Sequence, residues 1–221
     1  MGYTGYEMDT TFLQEEHHTN PRRLYSTTGA DWQLRVDHER LRSERLERAR
    51  AEMAHDDLGA LVVFAGANIR YITGSYQGNW KYNINIRYAV LCRDAEPVLF
   101  ETAGSDMQCA IIDLPWMKDR IRPAMTWQWA EGAVGEMADK MVSGILEVLK
   151  ENGVEKEKIG VDNFDLPALH AFEKAGINVV NGWPAFSRAR TVKTRDEIEL
   201  LKQASSIGDA AMWYIKHEWL K

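Results

Sequence analysis

The feature that most constrains the fold is an alternation of helix and strand patterns between residues 131 and 180. It begins with a helix pattern from Glu131 to Lys150, in which apolar residues form a wide stripe at helical spacing. The stripe consists of Val134, Met137, Ala138, Met141, Val142, Ile145, Leu146 and Leu149. A strand pattern at Lys158–Asp162, a short helix at Pro167–Ala175 and a strand at Ile177–Val180 follow. This alternation predicts an α/β layout.

The preceding part of the chain adds further strands to the predicted sheet. Val36–Met53 is an Arg- and Glu-rich amphipathic surface helix, and Gly59–Ala65 is an apolar run typical of a strand buried on both faces. Asn68–Gly74 forms a short element closed by glycine. Two apolar runs, Arg87–Cys92 and Pro97–Glu101, are separated by four polar or small residues, which indicates a hairpin.

The C-terminal region changes character after Gly182-Trp183-Pro184, which we interpret as a boundary. Thr194 and Glu197 have the spacing of a capping box at the start of a helix. The helix pattern continues to Lys221 without a C-terminal capping residue, and its apolar side needs a partner surface. We therefore expect the sequence to stop inside a longer protein. The predicted organisation is an N-terminal arm (1–35), a domain (36–183), and a linker with the first helix of a truncated second domain (184–221).

Composition limits the function classes. The net charge of −6 and the pI near 5.6 argue against nucleic acid and an anionic membrane as partners. No apolar run reaches the length of a membrane span, and residues 1–12 lack the pattern of a secretory signal. Cys92 and Cys109, the only cysteines, fit a reducing compartment. We expect a cytoplasmic protein.

Few residues offer a metal or catalytic site. His17 and His18 are adjacent, so their side chains point apart. Asp162 follows a strand, and Asp165 is better explained as the N-cap of the next helix, which leaves His170 without a ligand set. The sequence contains no H-E-x-x-H, G-x-S-x-G or P-loop motif. We expect no metal ligand and no catalytic residue in this chain.

Two motifs resemble the creatinase, prolidase and aminopeptidase P superfamily. One is Asn68–Gly74, which follows the Arg- and Glu-rich helix and the apolar strand. The other is Arg190–Leu201, similar to the junction where the N-terminal domain of that family meets the first helix of its "pita-bread" catalytic domain. The two motifs occur in the order and at about the separation that the family uses, and the resemblance covers roughly residues 36–220.

The resemblance implies an α/β domain with a mixed β-sheet flanked by helices, followed by the first long helix of a catalytic domain. It also implies a homodimer in which this domain borders the active site of the other subunit. The family uses two divalent metal ions, held by catalytic-domain residues, to activate a water molecule. The implied activity is that of a metal-dependent hydrolase resembling Xaa-Pro aminopeptidase or prolidase, acting on a short peptide or small molecule.

The loop from Ser75 to Tyr88 is the expected substrate-contacting part. Trp80 and Tyr82 supply aromatic rings, and Arg87 could hold a carboxylate, which suits a lid over a substrate. The alternative is a hydrated loop whose aromatic residues pack on their own sheet or on a dimer partner. Behind the long N-terminal arm, Trp80 followed by Arg87-Tyr88-Ala89-Val90-Leu91 is similar to the dimethylsulfoniopropionate-lyase branch of the family, where an aromatic cage would suit a sulfonium or quaternary ammonium group. A stand-alone protein-binding module or a structural dimerisation domain of the same fold are further alternatives.

Overall fold

A computed structural model describes residues 36–75, 86–128 and 130–219. The N-terminal arm, His17, His18, Trp80 and Tyr82 lie outside these ranges. The described chain forms helices and strands with the following bounds: α1 His38–His55, β1 Leu58–Val63, α2 Gly66–Thr73, β2 Tyr88–Cys92, β3 Val98–Glu101, α3 Ser105–Asp113, β4 Ile121–Pro123, α4 Val134–Glu151, β5 Lys158–Val161, α5 Leu166–Lys174, β6 Asn178–Asn181, α6 Trp183–Thr191 and α7 Arg195–Tyr214. Short 3-10 segments cover Pro115–Arg120 and Glu131–Ala133, and a π-helical turn covers Ile215–Trp219.

Residues 42–192 form one compact unit around a six-stranded sheet with the order β4-β3-β2-β1-β5-β6. Strand β1 pairs antiparallel with β2 and parallel with β5, while β2 and β3 form the antiparallel hairpin that the sequence predicts. The two outer pairs, β3 with β4 and β5 with β6, are parallel. The sheet is therefore mixed and flanked by helices, which confirms the expected fold class.

The two faces of β1 enter different cores, as expected for a strand covered on both sides. Ala60, Val62 and Phe64 join a cluster with the apolar stripe of α4 and with α5. Leu61 and Val63 join a second cluster on the opposite face, built with α1, α2 and α6. Because side chains alternate along a strand, one short run of apolar residues supplies both cores. The predicted buried strand is confirmed.

Local capping signals explain where several helices begin and end. Asp165 accepts a hydrogen bond from the Ala168 backbone and begins α5, which confirms its predicted role as an N-cap. Gly74 ends α2 with φ of 75°, in the left-handed region that glycine occupies without a steric penalty. Helix α4 begins at Val134, three residues after the predicted start, because Glu131–Ala133 forms a 3-10 turn.

The structure differs from the sequence analysis in the range 183–191. There the chain forms helix α6, with Pro184 in its first turn, where a missing amide hydrogen costs nothing. Ala185, Phe186 and Ala189 are buried in the second core cluster, so the compact unit extends to Val192. The Gly-Trp-Pro sequence marks the start of a core helix. Helix α3 and strand β4 were also missed, since both are short and only partly buried.

A second unit contains residues 193–219 together with 36–41 of the described chain. The predicted capping box is present, because Thr194 and Glu197 exchange side-chain-to-backbone hydrogen bonds of 3.0 and 3.2 Å. Asp196 accepts two hydrogen bonds of 2.8 Å from the Arg40 guanidinium and one of 3.1 Å from the Asp37 amide. Along α7, four large apolar side chains are exposed. They are Ile198, Leu201, Ile207 and Met212.

Among the described residues, no helix is both long enough and apolar enough to cross a bilayer.

Candidate functional site

Arg87 is the one predicted substrate-binding residue that the structure describes. Its side chain is 2% exposed and contacts Ser75, which follows α2, and Glu101, at the end of β3. The guanidinium donates to the Ser75 hydroxyl at 2.5 Å and to the Glu101 carboxylate at 2.7 Å. Arg87 therefore forms an internal ion pair in this structure. The substrate-binding roles of Trp80, Tyr82 and Arg87 stay predictions.

Burial dominates the electrostatics of this pair. Both side chains are only 2% exposed, so removal from water raises the pKa of Glu101, while Arg87 and the Thr102 amide oppose the rise. The same desolvation lowers the pKa of Arg87, and the charge of Glu101 counteracts it. Each charged group thus compensates the other inside the protein. Removing one partner alone would leave an uncompensated buried charge.

Backbone hydrogen bonds extend this contact to residues on both sides of 76–85. The Thr102 amide donates to Glu101 Oε1 at 2.9 Å, which fixes the carboxylate, and the Thr102 hydroxyl donates to the Ile86 carbonyl at 3.1 Å. On the other side, the Ser75 amide donates to the Thr73 hydroxyl at 3.0 Å. Ser75 is thus bound to the end of β3 through Arg87, and Ile86 is bound to it through Thr102. We call Ser75, Ile86, Arg87, Glu101 and Thr102 the β3 anchor.

A second buried polar junction lies where β1 and β5 end side by side. The Asp162 carboxylate accepts hydrogen bonds from the amides of Phe64 and Ala65, at 2.8 and 3.2 Å, and from Asn68 Nδ2 at 2.8 Å. Burial raises the pKa of Asp162, and these donors oppose the rise. The carboxylate thus holds the turn that leads from β1 into α2.

Asn68 extends this junction to the second motif. Its Oδ1 accepts a hydrogen bond of 2.9 Å from the Arg190 guanidinium, and its side chain is fully buried. Their spacing in the sequence assigns no role to Asn68 or Arg190, although each lies in one of the two motifs that carry the family resemblance. A side-chain amide that is buried at a strand-to-helix turn needs partners for both its donor and its acceptor. This requirement is the feature of the sequence that could have identified Asn68 as a junction residue.

The remaining metal-ligand candidates do not come together. Asp165 caps α5 and also accepts a hydrogen bond of 2.7 Å from the Trp127 indole. His170 is exposed and lies 3.4 Å from Glu173, while the His217 ring stacks on Trp213 with centroids 4.6 Å apart. Among residues 36–75, 86–128 and 130–219, no three His, Cys, Asp or Glu side chains form a group that could hold a metal ion.

The mixed sheet, its two apolar cores and the polar contacts at its strand ends define an α/β domain. The sequence profile of the Creatinase/Prolidase N-terminal domain family matches residues 45–192, more than half of the chain. This chain belongs to that family. The resemblance found in the two motifs is confirmed, and the matched range agrees closely with the compact unit of residues 42–192.

Solved structures show the same fold at low sequence identity. Recombinant prolidase from Thermococcus sibiricus superposes with a TM-score of 0.55 at 18% identity, over 80% of this chain and 44% of its own. The Xaa-Pro dipeptidase of Bacillus anthracis gives a TM-score of 0.55 at 16% identity, over 78% and 42% of the two chains. At these identities the likeness concerns the fold.

Two curated proteins are similar in sequence. The dimethylsulfoniopropionate lyase DddP of Roseovarius nubinhibens is 24% identical over 183 residues, covering 82% of this chain and 41% of the lyase. DddP of Roseobacter denitrificans is 25% identical over 154 residues, covering 69% and 34% of the two proteins. The chain therefore spans less than half the length of the curated relatives that it matches.

Proposed function

We propose that this chain is the N-terminal dimerisation and substrate-lid domain of a metal-dependent enzyme, and that it carries no catalytic residue of its own. The observation that carries the proposal is membership of the Creatinase/Prolidase N-terminal domain family over residues 45–192. The leading activity for the whole enzyme is hydrolysis of short peptides of the Xaa-Pro aminopeptidase or prolidase type. Prolidase and Xaa-Pro dipeptidase structures share the fold, which supports this choice.

The proposal assigns two divalent metal ions to a catalytic domain that lies outside the described residues. There they would lower the pKa of a bridging water and stabilise charge that develops in the transition state. The described polar residues have other tasks. Asp162 holds a turn, Asp165 caps a helix, and Glu101 pairs with Arg87.

A lyase acting on dimethylsulfoniopropionate or a similar sulfonium compound is the second candidate. It is favoured by a specific observation, since both DddP relatives match this chain in sequence over 82% and 69% of its length. Trp80 and Tyr82 would then enclose the sulfonium group, because aromatic faces attract cations. A protein-binding module of the same fold is the alternative without an enzymatic role.

Homodimerisation and a cytoplasmic location complete the proposal. In the dimer, this domain of one subunit would border the active site of the other. The two thiols are unpaired, and Cys109 is exposed, which suits a reducing compartment. Sedimentation of the purified protein would test the dimer, and a monomer at micromolar concentration would contradict it.

The activity test compares the protein expressed from its complete reading frame with the 221-residue chain alone. Each is supplied with manganese, zinc or cobalt and assayed for cleavage of Xaa-Pro dipeptides and for release of dimethyl sulfide from dimethylsulfoniopropionate. We expect one of the two reactions in the longer protein and neither in the 221-residue chain. Turnover by the 221-residue chain would contradict the proposal that this chain carries no catalytic residue. The absence of both reactions from the longer protein would favour the binding module.

Within an active enzyme, Trp80→Ala and Tyr82→Ala test the lid. We expect each to raise KM, by about tenfold for a lost stacking contact of roughly 1–2 kcal/mol. The matched control is Trp183→Ala, which removes a half-exposed tryptophan at the first position of α6. Unchanged kinetics in both loop variants would contradict the lid.

A further inference from the structure

We infer that a basic and aromatic surface beside helix α1 is a docking site for an acidic peptide segment of a partner protein. We call Arg42, Arg45, Trp116 and Arg120 the arginine–tryptophan surface. All four residues are half-buried and lie in the compact unit of residues 42–192, and none belongs to the β3 anchor. This docking site goes beyond the proposed function and does not depend on the reaction of the whole enzyme.

Helix α1 carries the first two arginines on one side, three positions apart. The Arg42 guanidinium carbon lies 4.4 Å from the centre of the Trp116 ring, and that of Arg45 lies 5.2 Å from the centre of the Tyr71 ring. Glu44 stands between the two arginines in the sequence, but residues one or two positions apart do not share a helix face. The arginines therefore form a positive row on the side of α1 that meets aromatic rings.

The Trp116 ring carries a second guanidinium. The Arg120 guanidinium carbon lies 5.6 Å from the ring centre, and its Nη2 donates a hydrogen bond of 3.0 Å to the Trp116 carbonyl. Because Arg42 and Arg120 lie over the same ring, their guanidinium carbons are separated by no more than the sum of the two ring distances. Attraction between each cation and the ring offsets the repulsion of the like charges. Two guanidiniums are thus held close together on one aromatic side chain.

Neither of these two guanidiniums is neutralised by a carboxylate. Within residues 36–75, 86–128 and 130–219, Arg42 and Arg120 form no ion pair with Asp or Glu. Other arginines of the described chain do form such pairs, namely Arg40, Arg50, Arg87, Arg93, Arg122 and Arg188. A guanidinium that stacks through its face keeps N–H donors along its edges, in the geometry that a carboxylate accepts. The arginine–tryptophan surface therefore lacks the carboxylates that its charge and donors fit.

The charge of the rest of the chain narrows the class of partner. With a net charge of −6, the protein repels any anion that extends far beyond the arginines, as nucleic acid and an anionic membrane do. A short acidic segment contacts the arginines without meeting the remaining surface. Trp and Arg are also the residues enriched at the energetic centres of protein–protein interfaces. Because stacking already orients the guanidiniums, less side-chain freedom is lost on binding.

The test measures binding of a fluorescent decaglutamate peptide to the 221-residue chain by fluorescence anisotropy. We expect binding that weakens as salt is added, since salt screens exposed charges. The double variant Arg42→Gln with Arg120→Gln should bind about tenfold more weakly. Thermal melting checks that the variant is folded. If it is not, Arg42→Gln alone keeps the hydrogen bond between Arg120 and the Trp116 carbonyl, and it should weaken binding by a few-fold.

The matched control removes two positive charges at another place. Arg93→Gln with Arg122→Gln changes the net charge by the same amount, at arginines that are paired with Glu157 and Glu151. We expect its affinity for decaglutamate to stay within about twofold of that of the unaltered chain. Equal weakening in both double variants would reveal non-specific attraction and would overturn the inference. Absence of decaglutamate binding, or unchanged binding in a folded Arg42→Gln variant, would overturn it as well.

Two further measurements locate the site and define its partner. The indole N–H resonance of Trp116, assigned by its loss in Trp116→Phe, should shift when decaglutamate is added, and an unshifted resonance would place the binding elsewhere and contradict the docking site. Short duplex DNA and phosphatidylserine vesicles are the competing anions, and we expect both to bind more weakly than decaglutamate. Tighter binding of either one, lost in the Arg42 and Arg120 double variant, would overturn the assignment to an acidic peptide.

Discussion

The side-chain amide of Asn68 donates a hydrogen bond of 2.8 Å to Asp162, although 94 residues separate them in the chain. On its other side, Asn68 accepts a hydrogen bond from Arg190, so the amide connects the end of β5 with helix α6. Asn68 lies at the start of α2, directly after the central strand. One neutral side chain therefore joins a partly buried carboxylate to a guanidinium in the middle of the domain.

Replacing Asn68 with alanine should destabilise the domain by about 2–4 kcal/mol, because two hydrogen bonds to charged groups are lost and the carboxylate remains buried. Urea denaturation measures the change. The control is Ala67→Gln, at an exposed position on the same helix, which should shift the free energy of unfolding by less than about 0.5 kcal/mol. Equal effects of the two changes would contradict the role of Asn68.

Asn68→Asp should show a pH-dependent loss of stability. It places a second carboxylate beside Asp162, whose pKa burial already raises. Arg190 lowers the pKa of the new carboxylate, but Asp162 loses an amide donor and gains a like charge, so its pKa rises further and the folded state binds more protons than the unfolded state. Stability should therefore fall as pH rises above about 4 and recover on acidification. Urea titrations between pH 4 and pH 8 measure this, and a variant equally unstable across that range would contradict it.

Gly182→Ala should be strongly destabilising. A Cβ atom there would lie 2.7 Å from the Gly160 carbonyl carbon and 2.9 Å from the Val161 nitrogen, and backbone atoms cannot yield as a flexible side chain can. We expect a loss of about 1–3 kcal/mol. Gly135→Ala is the matched control, since a Cβ in α4 meets no atom within 4 Å and alanine favours the helix by about 0.5–1 kcal/mol. The melting temperature should therefore fall in Gly182→Ala and rise in Gly135→Ala.

Thr194→Ala should loosen the first turn of α7. The hydroxyl of Thr194 satisfies the Glu197 amide at 3.2 Å, and losing such a cap costs about 1 kcal/mol. Hydrogen exchange of the amides from residue 195 to 198 should become faster. Lys202→Ala, which removes an exposed pair within the same helix, should leave those amides unchanged. Unaltered exchange in Thr194→Ala would show that the cap does not limit opening.

The contact between Asp196 and Arg40 should weaken in acid. Hydrogen bonds from Arg40, supported by the Asp37 amide, hold the pKa of Asp196 below its ordinary value. A lowered pKa contributes stability above about pH 4, and that contribution is lost as pH falls through the folded-state pKa. Because Arg40 is 40% exposed, we expect Asp196→Asn to cost only about 1 kcal/mol at pH 7. The difference from the unaltered chain should shrink progressively as the pH falls below about 4 when hydrogen exchange is followed from pH 7 downward.

Local chemistry explains which features the sequence predicted. The capping box at Thr194 and the N-cap at Asp165 involve residues three positions apart, so their geometry follows from spacing. The stripe of α4 and the apolar run of β1 identify buried elements through their periodicity. Pro184 shows the limit of such signals, since the same residue is compatible with a boundary and with the first turn of helix α6.

The sequence by itself determined the α/β class, the helix caps and the two motifs that identify the family, because these depend on contacts within a few residues. Only the tertiary structure decided that Asn68 meets Asp162 and Arg190, and that Arg87 is paired with Glu101. Both contacts form because sheet order brings separate strand ends together. Spacing along the chain cannot show which charge will be buried beside which partner, since that depends on the neighbours that folding supplies.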